Sequence, residues 1–170
     1  MAGKNSGALK VSLPSDKEIL LERVFDAPRH LVFEAMTRPE YVRRWWGCLE
    51  GFTMPVCDID FRVGGKYRFV SRGPDGSEAG FHGEYREIVP PSRIVHTEIF
   101  DPYPEEVTVC TVTLEELGDK TRYRCHVLHT TTEGRDAHIA SGMEEGAGIS
   151  LDRVEEIARE LAGTHAVASA

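Results

Sequence analysis

Long apolar runs are missing from this chain. None approaches the eighteen or so residues that a transmembrane helix needs, so no membrane insertion is expected. The first sixteen residues lack the apolar core of a signal peptide, which makes a cytoplasmic location the expectation. A basic surplus is missing too: 20 Lys and Arg stand against 28 Asp and Glu, a formal charge of −8. Phosphate binding needs a basic face, so nucleic acid is not an expected partner. Cysteine is scarce, and Cys48, Cys57, Cys110 and Cys125 show no CxxC spacing. In a cytoplasmic protein such thiols are expected to be reduced and mostly buried. There is no Walker loop, nucleophile elbow or dinucleotide fingerprint, and no cofactor is expected. Gly64 and Gly65 precede a strand pattern, so they lack the helix N-terminus that would hold phosphate. His126 and His129 fall on opposite faces of a strand, and nothing in the spacing pairs either with a cysteine; no metal is expected.

What is present is enough for one well-buried core in 170 residues and too little for two domains. Residues 1–15 are polar and small and read as a flexible N-terminal segment. Lys17 to Phe25 is rich in Ile, Leu and Val and reads as a strand. Pro28 and Pro39 then open two short helices, the second ending at Trp45 and Trp46. From Thr53 to His129 strands alternate with turns at Gly64-Gly65, Gly73 to Gly76, Pro90-Pro91, Asp101 to Pro104 and Gly118-Asp119. The expected sheet has about seven strands, six of them in sequential hairpins. Thr132 to Leu161 completes the chain with apolar or small residues at Ile139, Met143, Gly146, Ser150, Val154, Ile157 and Leu161, one face of a helix about 45 Å long. Gly142, Gly146 and Gly148 each cost about 1 kcal/mol in a helix interior. The Val154–Leu161 half is therefore expected to anchor a core, and the Gly-rich half to lie over something that needs space. Residues 163–170 read as a flexible tail.

A curved antiparallel sheet with one solvated face must cover the other, and the C-terminal helix is the only element large enough. The expected architecture is an α+β helix-grip fold of order β-α-α-β6-α, a single domain over residues 16–162. Four stretches carry a resemblance: RVFDAPRHLVFEAMTRPEYVRRWWG (Arg23–Gly47), DIDFRVGGKYRF (Asp58–Phe69), FHGEYREIVPPSRIVHTE (Phe81–Glu98) and SGMEEGAGISLDRVEEI (Ser141–Ile157). In order and spacing they resemble the START-like SRPBCC superfamily, and within it the family named after the C-terminal domain of the activator of the heat-shock-protein-90 ATPase. The resemblance implies the helix-grip fold over nearly the whole chain. It does not imply one activity, since the superfamily includes lipid carriers, polyketide cyclases, hormone receptors and co-chaperones. Nothing here resembles the additional N-terminal domain of the co-chaperone activators.

Such a fold offers a cavity between sheet and helix. Gly142, Gly146, Ala147 and Ser150 would leave room there, and Trp45, Trp46, Phe81, His96 and Met143 could contribute to its walls. The plainer readings are close helix–sheet packing at the small residues and a core plug at the tryptophans. For catalysis the candidates are His82 with Glu84 and His96 with Glu98, each pair two residues apart on one strand face. In the second strand Val95, Thr97 and Ile99 form a competing face, which favours a solvent-facing polar pair there. Three functions remain open: a binding protein for an apolar or amphipathic small molecule, a cyclase- or hydrolase-like enzyme on the same fold, and an interaction module with a chaperone contact. An exposed sheet edge would also allow a homodimer.

Overall fold

Period-two alternation builds most of this protein, as the computed structural model shows for the residues it describes, 8–47 and 49–169. The strands are β1 (Lys10–Ser12), β2 (Glu18–Phe25), β3 (Thr53–Ile59), β4 (Lys66–Arg72), β5 (Glu78–Val89), β6 (Arg93–Phe100), β7 (Thr108–Leu117) and β8 (Lys120–Leu128). The helices are α1 (Arg29–Thr37) and α2 (Pro39–Trp45), between β2 and β3, then α3 (Thr132–Ala140) and α4 (Met143–Ser169). One antiparallel sheet runs in the order β1-β2-β8-β7-β6-β5-β4-β3. In β7, for example, Thr108, Cys110, Val112 and Leu114 are buried while the residues between them are not, the pattern of a sheet with one packed face. The fold is an α+β helix grip.

Three expectations from sequence change. There are eight strands, because Lys10–Ser12 pairs with β2 at Lys10↔Glu22 inside the segment expected to be flexible. Residues 1–7 and Cys48 lie outside the described residues. The C-terminal helix is two helices, since Gly142 takes φ +85° and breaks the rod between Ser141 and Met143. The break falls four residues before Gly146. Finally, α4 continues to Ser169, past the start of the expected tail.

The second half of α4 anchors the core as its spacing requires: Leu151, Val154, Ile157, Ala158 and Leu161 are all buried with Leu31, Val32 and Ala35 of α1. An ion cluster fixes the crossing of this helix over β2. The Arg23 guanidinium, 2% exposed, donates to Asp152 at 2.5 Å and to Glu155 at 3.1 Å. The other Glu155 oxygen accepts from the Asp26 backbone N–H, at the entry to α1. A buried charge is tolerated only when paired and hydrogen-bonded. This cluster holds β2, α1 and α4 in one register and leaves the first half of α4 to span the sheet.

Candidate functional site

Between the concave face of the sheet and the first half of α4 lies a pocket of about 600 Å³. Its floor is built from inward positions of neighbouring strands: Tyr67 and Phe69 on β4, Phe81 and Tyr85 on β5, Ile94, His96 and Glu98 on β6, Cys110 and Val112 on β7. Its roof is Met143, Gly146, Ala147, Ser150 and Leu151. Leu49, Phe52 and Ser141 line it as well and are themselves exposed, so they form its rim. A Cβ added at Gly146 or Gly148 would meet nothing within 4 Å. Close packing therefore does not account for these glycines. They leave space.

One glycine in the floor does serve close approach. Gly83 sits opposite Tyr67 in the β4–β5 ladder, and a Cβ there would lie 1.9 Å from the Thr97 carbonyl oxygen and 2.7 Å from the Tyr67 hydroxyl. The missing side chain lets the Tyr67 ring lie across β5 and donate its hydroxyl to Thr97 O on β6 at 2.5 Å. Its burial raises the Tyr67 phenol, as burial raises that of Tyr85, so both stay neutral donors. Rings pack around this point: Tyr67 lies 4.8 Å from Phe69 and 5.5 Å from Tyr85, with His96 edge-on to Tyr67 at 5.7 Å.

Trp45, Trp46, Phe81, His96, Met143, Gly146 and Ser150 of the sequence candidates line the pocket. Gly142 does not; it is the hinge between α3 and α4. The two tryptophans play different parts. Trp45 is pinned by its indole N–H donating to Ala35 O at 2.9 Å, whereas Trp46 stands against Phe69 and Phe81 at 4.9 and 5.0 Å and extends the aromatic wall.

The two His–Glu pairs also part. Phe81, Gly83 and Tyr85 take the inward positions of β5, so alternation sends His82 and Glu84 to the other face. There the His82 ring lies 2.9 Å from Asp101, whose carboxyl is held below its ordinary value by a hydrogen bond from Arg68. On β6 the expectation reverses: Ile94, His96 and Glu98 face the pocket, and Val95, Thr97 and Ile99 do not. Thr97, on the competing face, lies outside the pocket, where its hydroxyl accepts the Glu84 backbone N–H beside the β5 bulge.

Burial sets the electrostatics of this pair. His96 is pushed down to about 4 and is neutral at pH 7, with a buried Nδ1 that has no hydrogen-bond partner. Glu98 is pushed up to about 7 by the same desolvation. It lies deep among protein atoms yet keeps some accessible surface, because that surface faces the pocket.

Sequence reasoning missed His138. Continuing the α4 face backwards points to Ile139, but the break at Gly142 resets the helical phase, leaving Ile139 37% exposed and turning His138 to the pocket. The His138 Nδ1 is 3.0 Å from Nε2 of His129, whose Nδ1 is 3.4 Å from the Glu106 carboxylate. Burial, with His129 beside it, lowers His138 to about 4. No signal in the sequence marked this chain, which joins β8, α3 and the loop before β7. Among the described residues no three His, Cys, Asp or Glu side chains are grouped to hold a metal, no helix is long and apolar enough to cross a membrane, and Cys57, Cys110 and Cys125 are buried.

Comparison with known proteins gives a family and a fold. Residues 26–159 match the family model described as Activator of Hsp90 ATPase homolog 1-like protein. No curated protein matches significantly. Among solved structures, a Rhodobacter sphaeroides protein superposes with a TM-score of 0.81 at 27% identity, over 90% of this chain and 99% of its own. An Arthrobacter aurescens protein gives 0.78 at 26%, over 89% and 91%, and a Chromobacterium violaceum protein 0.74 at 28%, over 85% and 98%.

Proposed function

The chain belongs to the Activator of Hsp90 ATPase homolog 1-like protein family, and we propose that it uses the helix-grip fold to bind an apolar or amphipathic small molecule. The observation that carries this reading is the pocket of about 600 Å³ under α4, inside the range of small-molecule sites and lined mostly by apolar and aromatic side chains with a few polar groups. The open space at Gly146 supports it, since a helix interior gives up about 1 kcal/mol for a glycine that packs against nothing. A second reading, a cyclase- or hydrolase-like enzyme, is favoured by one feature: a carboxyl near 7 and a neutral imidazole on the same strand face in a mostly apolar pocket suit general acid–base work. A chaperone-docking module would not need the pocket.

Titration with the neutral fluorophore N-phenyl-1-naphthylamine tests the binding reading. Saturable uptake at one site is expected, with at least a tenfold loss in Gly146→Trp while the urea midpoint stays near wild type. Absence of saturable uptake, or uptake that Gly146→Trp leaves unchanged, refutes it.

A further inference from the structure

We infer that the pocket selects ligands whose polar head is a protonated amine and rejects carboxylate heads, with Glu98 as the buried counter-ion. This rests on the binding reading above and specifies the chemistry of the same site.

Three observations converge. The first is the charge inventory: among the described residues the pocket lining holds one carboxyl, Glu98, and no lysine or arginine. An anionic head would find no cation there and would face a like charge. The second is the state of that carboxyl. Elsewhere the deeply placed carboxylate of Glu155 is paired with Arg23. Glu98 faces the pocket, and no side-chain or backbone donor among the described residues bonds to it. Two residues along the same face, His96 presents an unpartnered buried Nδ1. A buried polar group without a partner is the exception in folded proteins and asks for an occupant. An ammonium supplies what both lack: a cation for the carboxylate and further N–H groups for a neutral imidazole. The third observation is the wall. Tyr67, Phe69, Phe81 and Tyr85 line the same pocket, and aromatic rings favour a cation over an anion while accommodating an apolar body.

Three probes with one aromatic body test the assignment at pH 8: 1-naphthylmethylamine, 1-naphthylmethanol and 1-naphthoate. In the wild type the amine is expected to bind at least tenfold more tightly than the alcohol, and the carboxylate most weakly. Glu98→Gln, which keeps shape and removes charge, should bring the amine-to-alcohol ratio to about one while the alcohol Kd changes by less than about threefold. An amine no tighter than the alcohol in wild type, or a preference that survives Glu98→Gln, overturns the inference and leaves the binding reading intact, because the alcohol reports the pocket alone. If none of the three binds, both readings fall.

Discussion

Replacing Glu98 by Gln gives the most direct measure of what the pocket does to a charge. Burial carries this carboxyl from an ordinary 4.5 to about 7 in the folded protein. The folded chain therefore keeps a proton that the unfolded chain has released across that interval. Wherever the native state binds the extra proton, raising the pH favours unfolding, so wild-type stability attributable to Glu98 falls between about pH 4.5 and pH 7 and levels off above. Each unit is worth about 1.4 kcal/mol, and allowing for solvent on the pocket-facing side the total is about 2–3 kcal/mol. Glutamine carries no such proton. Urea unfolding of both proteins from pH 4 to pH 8.5 isolates the effect, because subtraction removes the histidines that share the window. His96 and His138, both depressed to about 4, contribute stability that is lost as pH falls from 6.5, the opposite trend. Tyr67, Cys110 and Cys125 surround Glu98 and feel its charge, which pushes each of them up, so Glu98→Gln relaxes them as well. The expected result is an advantage for Glu98→Gln that is small at pH 4, grows through pH 5–7 and is flat above pH 8. A difference independent of pH, or one that shrinks as pH rises, would show that Glu98 is solvated or paired rather than desolvated by the pocket.

Other substitutions check separate parts of the structure. Gly83→Ala would drive a methyl into the Thr97 carbonyl, so it should destabilise the protein by about 2 kcal/mol or more in urea unfolding; an indifferent result would mean that Tyr67 does not cross β5 as described. Gly148→Ala, with open space at its Cβ and a position outside the pocket lining, should raise stability by about 0.5–1 kcal/mol and leave probe affinity unchanged. Glu155→Ala strips one partner from a buried arginine and the acceptor from Asp26 N–H; a loss of about 3 kcal/mol is expected, and less than 1 would deny the cluster its role at the β2–α4 crossing.

The β6 strand shows where reading the sequence stops. Its seven residues from Ile94 to Phe100 offer two faces, and the more apolar one, with Val95, Thr97 and Ile99, competes with the one that carries Ile94, His96 and Glu98. Period two fixes that His96 and Glu98 go together but leaves open which way they go. The register against β5, through the bulge near Tyr85 and the Thr97 hydrogen bond to Glu84 N–H, decides it. His82 and Glu84 are the converse. Phe81 and Tyr85 mark the inner face plainly, and Gly83 between them completes it. On the helix side, a continuous 3.6-residue pattern placed Val154, Ile157 and Leu161 in the core but could not register that Gly142 interrupts it, so Ile139 was assigned a face that His138 occupies.

What the sequence determined by itself was the topology: strands, turns and two proline-opened helices follow from local periodicity and turn chemistry, which act over a few residues and are written there. It also marked the first half of α4 as unusual, because glycine is costly in a helix, while leaving open whether the glycines serve a space or close packing. Only the tertiary structure decided that there is a pocket, that the Glu98 carboxyl and the His96 Nδ1 stand at it without a hydrogen-bond partner among the described residues, and that His138 joins them. Those outcomes depend on which residues meet across distances of tens of positions in the chain, and solvent exclusion at such a meeting point is a property of the whole fold. The same glutamate would titrate as an ordinary surface acid had β6 presented its other face.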